Sequence, residues 1–158
     1  MTRHTSQPIE NLGLAMTNEP FSQLVSQWKR GSLDPNPPYQ RGPVWTRGQQ
    51  IALIESVLSG TPLPAIITNR RGRSMARTRY VIDGLQRLTA FRAFLDDHLL
   101  VPASWFGMKH VSNPVDLSGD PQLAREYEDE GLYVTHGNLS EYMQTIIDNL
   151  SISVAGGH

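Results

Sequence analysis

The stretch Tyr80-Val81-Ile82-Asp83-Gly84-Leu85-Gln86-Arg87-Leu88-Thr89 decides the fold class. A short aromatic and β-branched run ends on a carboxylate, and a glycine breaks it. The apolar spacing then changes to Leu88, Phe91, Phe94 and Leu95. The first pattern predicts a strand over Tyr80–Asp83, and the second a helix through about Asp97. A helix that begins directly after such a turn points its first amides outward with a partial positive charge, which makes a generic anion site. Arg87 stands in the first turn, where its fork can reach the same anion, and Gln86 adds neutral donors and an acceptor. Two plainer accounts of the same residues stay open. Asp83 can cap the helix through the amides of Leu85 or Gln86, and Arg87 can pair with Asp83 four residues back.

Working upstream, Ala65–Thr68 reads as a partner strand, entered through the stiff link Thr61-Pro62-Leu63-Pro64. Residues 69–78 hold Arg70, Arg71, Arg73 and Arg77, and Arg79 follows. This predicts an exposed hairpin loop able to neutralise DNA phosphates without reading sequence. No aromatic lies between the arginines for base stacking, and a solvated hairpin tip is the plain alternative. Thr46 and Gln49 make a capping box that starts a helix from Arg47 to about Ser59, burying Ile51, Ile54, Val57 and Leu58. Thr17–Pro20 reads as the start of an earlier helix with Phe21, Leu24, Val25 and Trp28 on one face and Gly31 at its end. A short strand at Ser32–Leu33 follows. Residues 1–16 show no period and are expected to form a flexible arm before a single domain over 17–158.

Downstream, the pattern weakens. Residues 98–130 are expected to be irregular, with one short helix near Pro121–Asp129 and a solvated acidic face at Glu126–Glu130. Asn138 or Ser140 caps a last helix presenting Leu139, Met143, Ile146, Ile147 and Leu150. Ile152–Val154 closes the chain as a strand.

The chain has 158 residues, 14 Lys/Arg and 15 Asp/Glu, for a net charge of −1. Up to Arg92 there are 12 basic and 5 acidic residues; from Ala93 onward there are 2 and 10. Such asymmetry points to an anionic ligand for the first part, or to an acidic face packing on a basic one. The absence of cysteine excludes disulfides, thiol catalysis and Cys-ligated zinc. No metal-ligand spacing stands out, and His98, His110 and His136 are isolated. No run is apolar enough to span a membrane and no signal-peptide core opens the sequence, so a cytoplasmic protein is expected.

A second cluster, Pro38-Tyr39-Gln40-Arg41-Gly42-Pro43-Val44-Trp45, combines two aromatics, an arginine and two prolines that stiffen it. Tyr39 and Trp45 can stack on a base or fill core; Arg41 can hold a phosphate or carboxylate.

In order, Tyr39-Gln40-Arg41, Val44-Trp45 and Ile82-Asp83-Gly84-x-Gln86-Arg87-Leu88-Thr89 resemble the N-terminal domain of the GmrSD-type restriction endonucleases, with the likeness running from about Phe21 to Asp97 and more weakly over Asn138–Val154. The resemblance implies an α+β, ParB/sulfiredoxin-like fold with a small mixed sheet. It implies an NTP ligand or substrate, with Mg2+, in a system that restricts modified foreign DNA. Asp83, Gln86 and Arg87 are then the implied catalytic residues, and Gly84, Leu85 and Thr89 border the nucleotide together with Tyr39, Gln40, Arg41 and Trp45. Gly84-Leu85-Gln86-Arg87 also satisfies the Gly-x-x-Arg helix start of ParB relatives. Leu85 departs from the pattern, standing where the family has Gln. The chain is expected to be shortened at its C-terminal side relative to the family, with no nuclease constellation of its own. Three readings follow: an NTP-binding, NTP-hydrolysing domain; a ParB-like DNA-binding or nicking module; and a catalytically weak relative acting on a larger restriction subunit as an interaction or anti-restriction protein.

Overall fold

The computed structural model describes residues 14–35, 44–70 and 78–157. Its strands are β1 (Leu14–Pro20), β2 (Leu33–Asp34), β3 (Ile66–Arg70), β4 (Arg79–Asp83), β5 (Val101–Pro102), β6 (Val115–Asp116), β7 (Leu132–Val134) and β8 (Ser151–Gly157). Its α-helices are α1 (Phe21–Arg30), α2 (Arg47–Leu58), α3 (Leu85–Leu95), α4 (Pro121–Tyr127) and α5 (Glu141–Asp148). The fold class is α+β, as expected.

Five strands form one mixed sheet in the order β1-β8-β3-β4-β2. β3 and β4 are an antiparallel pair with a register irregularity between Ile67 and Thr68, and β8 and β2 add in parallel on either side. α3 packs on α1 and α2, and the shared core is Phe21 and Leu24 from α1, Ile54 from α2, Leu88, Phe91 and Phe94 from α3, and Ile66 and Val81 from the sheet. Phe21 and Phe91 stack with centroids 4.2 Å apart, so the start of α1 is locked to the middle of α3.

The periodic elements stand where their spacing places them, within a residue or two. Five expectations change. The proposed arm loses Leu14–Met16 to β1, and Thr17–Pro20 is strand rather than helix start. Pro20 is the N-cap of α1, whose first amide donates to the Leu150 carbonyl at 2.9 Å. β1 lies at the sheet edge, where a polar run ending in proline is tolerated, so it lacks the apolar alternation of a central strand. The segment after His98 contains a second sheet, in the order β5-β7-β6. Two of its strands have two residues each, too short for any period to show. Ile51 and Leu58 are only half-buried on α2, where Gln50 and Leu53 turn inward, and Ile146 is exposed on α5.

Candidate functional site

The junction between β4 and α3 is built around Gly84. Its φ of +101° is one that side chains rarely adopt. An added Cβ would also meet the Ile66 Cα at 3.2 Å and the Arg87 Nη2 at 2.9 Å. Glycine is thus required both for the turn and for the close approach of β3. Gly84 has no side chain with which to cap α3, and among the described residues no side chain, Asp83 included, bonds its first amides. That removes the plain account in which Asp83 is an N-cap.

Arg87 does not pair with Asp83 either; among the described residues the junction shows no ion pair between them. Its Nη2 instead donates to the Ala65 carbonyl at 2.9 Å, and its Nε is buried with no partner among the described residues. This bond swings the side chain across the junction toward the link that enters β3. There Arg87 lines a shallow, open cavity of about 360 Å³ together with Trp45, Gln49, Leu53, Leu63 and Pro64. One carbonyl satisfies only part of a guanidinium, which has five donors.

Trp45 reaches the same cavity from the other motif. It is half-buried against the core, and so serves as both packing and wall. The start of α2 fixes it. The Thr46 amide donates to Gln49 Oε1 at 2.9 Å, and the Gln49 amide donates to Thr46 Oγ1 at 3.2 Å. The expected capping box is therefore present and sits directly on the cavity rim. The sequence reading missed Gln49, Leu63 and Pro64 as lining residues. The capping box and the Pro62/Pro64 link were the available signals, but they spoke of backbone direction rather than of a wall.

The remaining site candidates divide. Asp83 is exposed at the end of β4, opposite Ile67. Gln86 is half-buried on the first turn of α3, and Thr89 lies one turn further on; neither lines the Trp45–Arg87 cavity. Leu85 packs against the core. Tyr39, Gln40 and Arg41 lie outside the described residues, as do Arg71, Arg73 and Arg77. Among the described residues no group of three or more His, Cys, Asp or Glu side chains could hold a metal, and no helix is long and apolar enough to cross a membrane.

The arginines form a separate place. Arg79 begins β4 and Asp83 ends it, four residues and roughly 13 Å away at about 3.3 Å per residue. Arg79 makes a two-pronged bond to Glu19, with both N–O distances 2.9 Å, and also donates to Gln27. Its charge is thereby neutralised at the sheet. Burial pushes the Glu19 carboxyl up, but the bonds from Arg79 and Thr17 outweigh it and hold the group below the ordinary value of 4.5. Arg70 is exposed, and with Arg79, Thr17, Thr68 and Gly156 it borders a second cavity of about 740 Å³.

Residues 21–154 match the family model of the GmrSD restriction endonuclease N-terminal domain. The chain belongs to that family. The matched span opens on the first residue of α1, closes within β8, and contains both Trp45 and the Asp83–Arg87 junction. Membership in the GmrSD N-terminal family connects the chain to restriction systems. Comparison with curated proteins and with solved structures gave no match.

Proposed function

We propose that this domain binds a nucleoside triphosphate, with the phosphates at the start of α3 and the base against Trp45, and that it acts as the nucleotide-responsive part of a restriction system. The observation that carries the reading is the meeting of Trp45 and Arg87 in one cavity beside an uncapped helix start. They come from two motifs that are distant in sequence. The amides of Leu85, Gln86 and Arg87 suit phosphate oxygens, and the free donors of Arg87 add a full positive charge. By the family resemblance, Tyr39, Gln40 and Arg41 are expected to contribute to binding the same nucleotide.

For hydrolysis, Asp83 and Gln86 are the groups that orient the attacking water, and Arg87 stabilises the charge developing on the transferred phosphoryl group. Magnesium would be carried chiefly by the triphosphate, with Asp83 the carboxylate nearest in sequence to the phosphate-binding amides. Leu85 is turned to packing rather than to water, so binding is expected to exceed hydrolysis in efficiency.

Calorimetric titration of the purified chain with each of the four NTPs and magnesium tests the reading. Saturable binding is expected, weakened at least about tenfold in Arg87→Ala, the loss of one charged hydrogen-bonding partner. No heat with any NTP would refute it.

A further inference from the structure

The second sheet carries an apolar groove that the nucleotide reading does not use. Met108 is 91% exposed and Leu132 is 52% exposed. Both line a single concavity of about 490 Å³ whose floor includes Pro102, Phe106 and Tyr133. Isolated exposed apolar residues are ordinary, but two large ones converging on one concave surface mark an interaction site.

Asp129 puts a carboxylate on one rim of the groove; Glu128 and Glu130 flank it in sequence, are exposed, and line with it and Arg125 a neighbouring depression. Its carboxylate accepts from the Tyr133 hydroxyl and from the Glu130 amide, both at 2.7 Å. These bonds fix the charge at the rim and hold the carboxyl below its ordinary value of 3.8. Nearby cations are few: Lys109 follows Met108, and Arg125 lies on the α4 side of the acidic run. Glu126 is turned away to Arg47 and does not contribute.

The chemistry selects the occupant. Three exposed carboxylates repel nucleic-acid phosphates and anionic lipid surfaces. β7 is paired on both sides, by β5 and β6, and those edge strands have two residues each, one ending in Pro102, so strand addition has little backbone to pair with. An occupant must therefore be held by side chains in the groove and by charge at the rim. We propose that this groove docks a peptide segment of a partner protein that carries an aliphatic anchor flanked by lysine or arginine.

Fluorescence anisotropy of the whole chain with three labelled peptides tests this: GKRLALMRKG, GKRSASSRKG and GEELALMEEG. The first is expected to bind with a dissociation constant on the order of tens of micromolar, and the other two at least about tenfold more weakly. Raising salt to about 0.5 M should weaken the first several-fold by screening. The double variant Met108→Ser/Leu132→Ser, at exposed positions that leave the core intact, should weaken it about tenfold with an unchanged melting curve. Amide shifts should cluster at residues 102–108 and 129–133. Equal binding of the serine peptide, undiminished binding by the double variant, or shifts on another face would overturn the proposal. So would concentration-dependent self-association of the chain through this groove, which would make a second copy the occupant.

Discussion

Gly84 concentrates the account at the scale of one residue. Its φ is unfavourable for any side chain, and the space a methyl group needs is taken by Ile66 and Arg87. Gly84→Ala should therefore destabilise the chain by more than about 2 kcal/mol, measured by urea unfolding, because strain and overpacking act together. It should also displace the Arg87 guanidinium and weaken nucleotide binding beyond the stability loss. The residue types at this junction were legible from the chain alone, since a glycine between a strand and a helix with arginine at the fourth position is a strong local pattern. The partner of Arg87 was not. Ala65 contributes only a backbone carbonyl, which has no side-chain signature, and it is brought near by the antiparallel pairing of β3 with β4. Sequence spacing favoured Asp83, four residues back, but Gly84 separates that carboxylate from the helical turn.

At the scale of elements, the start of α2 sets the wall opposite Arg87. The reciprocal bonds between Thr46 and Gln49 fix the residue before them, Trp45, relative to the helix axis. Thr46→Ala should cost about 1 kcal/mol in unfolding free energy, the usual value of an N-cap, and Thr46→Ser should recover most of it. Tryptophan fluorescence measured with Trp28 and Trp105 replaced by Phe, which leaves Trp45 as the reporter, should show the loosened wall in the first variant and not in the second. Long elements with a clear period were readable: α1, α2, α3 and α5 fall where Phe21, Ile54, Leu88 and Ile147 put them. The short ones were not. Val101–Pro102 and Val115–Asp116 become strands only because β7 lies between them, so their identity is set by tertiary pairing rather than by their own residues.

At the scale of the whole molecule, the charge asymmetry has a partly structural cause. Lys29–Asp96, Arg47–Glu126 and Arg92–Asp96 each join a cation of the basic half to a carboxylate of the acidic half. Arg47 also lies over the Tyr127 ring at 5.5 Å, so α2 and α4 are joined by both charge and packing. The sequence offered an anion site or an acidic face against a basic one, and the fold contains ion pairs of the second kind. Among the described residues, Arg70 and the Glu19-paired Arg79 stand together at one end of the β3–β4 pair, and Arg87 lies beyond the other end of β4. Acid should expose this wiring. Glu19 titrates below its ordinary value in the fold, so its contribution is complete above about pH 4.5 and is lost as pH falls through the lower folded value. Asp96 behaves likewise below 3.8, where the bonds from Lys29 and Arg92 outweigh its desolvation. Urea midpoints measured from pH 6 to pH 2.5 should fall along that limb. Glu19→Gln should flatten the limb while lowering stability near neutrality by about 1–3 kcal/mol, since it leaves Arg79 without its counter-charge. A crystal structure of the chain with a non-hydrolysable NTP shows where the nucleotide sits. The account predicts phosphate oxygens within hydrogen-bond distance of the Leu85 and Gln86 amides and of Arg87, with the base against Trp45; a nucleotide lodged between Arg70 and Arg79 at the opposite end of β4 would contradict it.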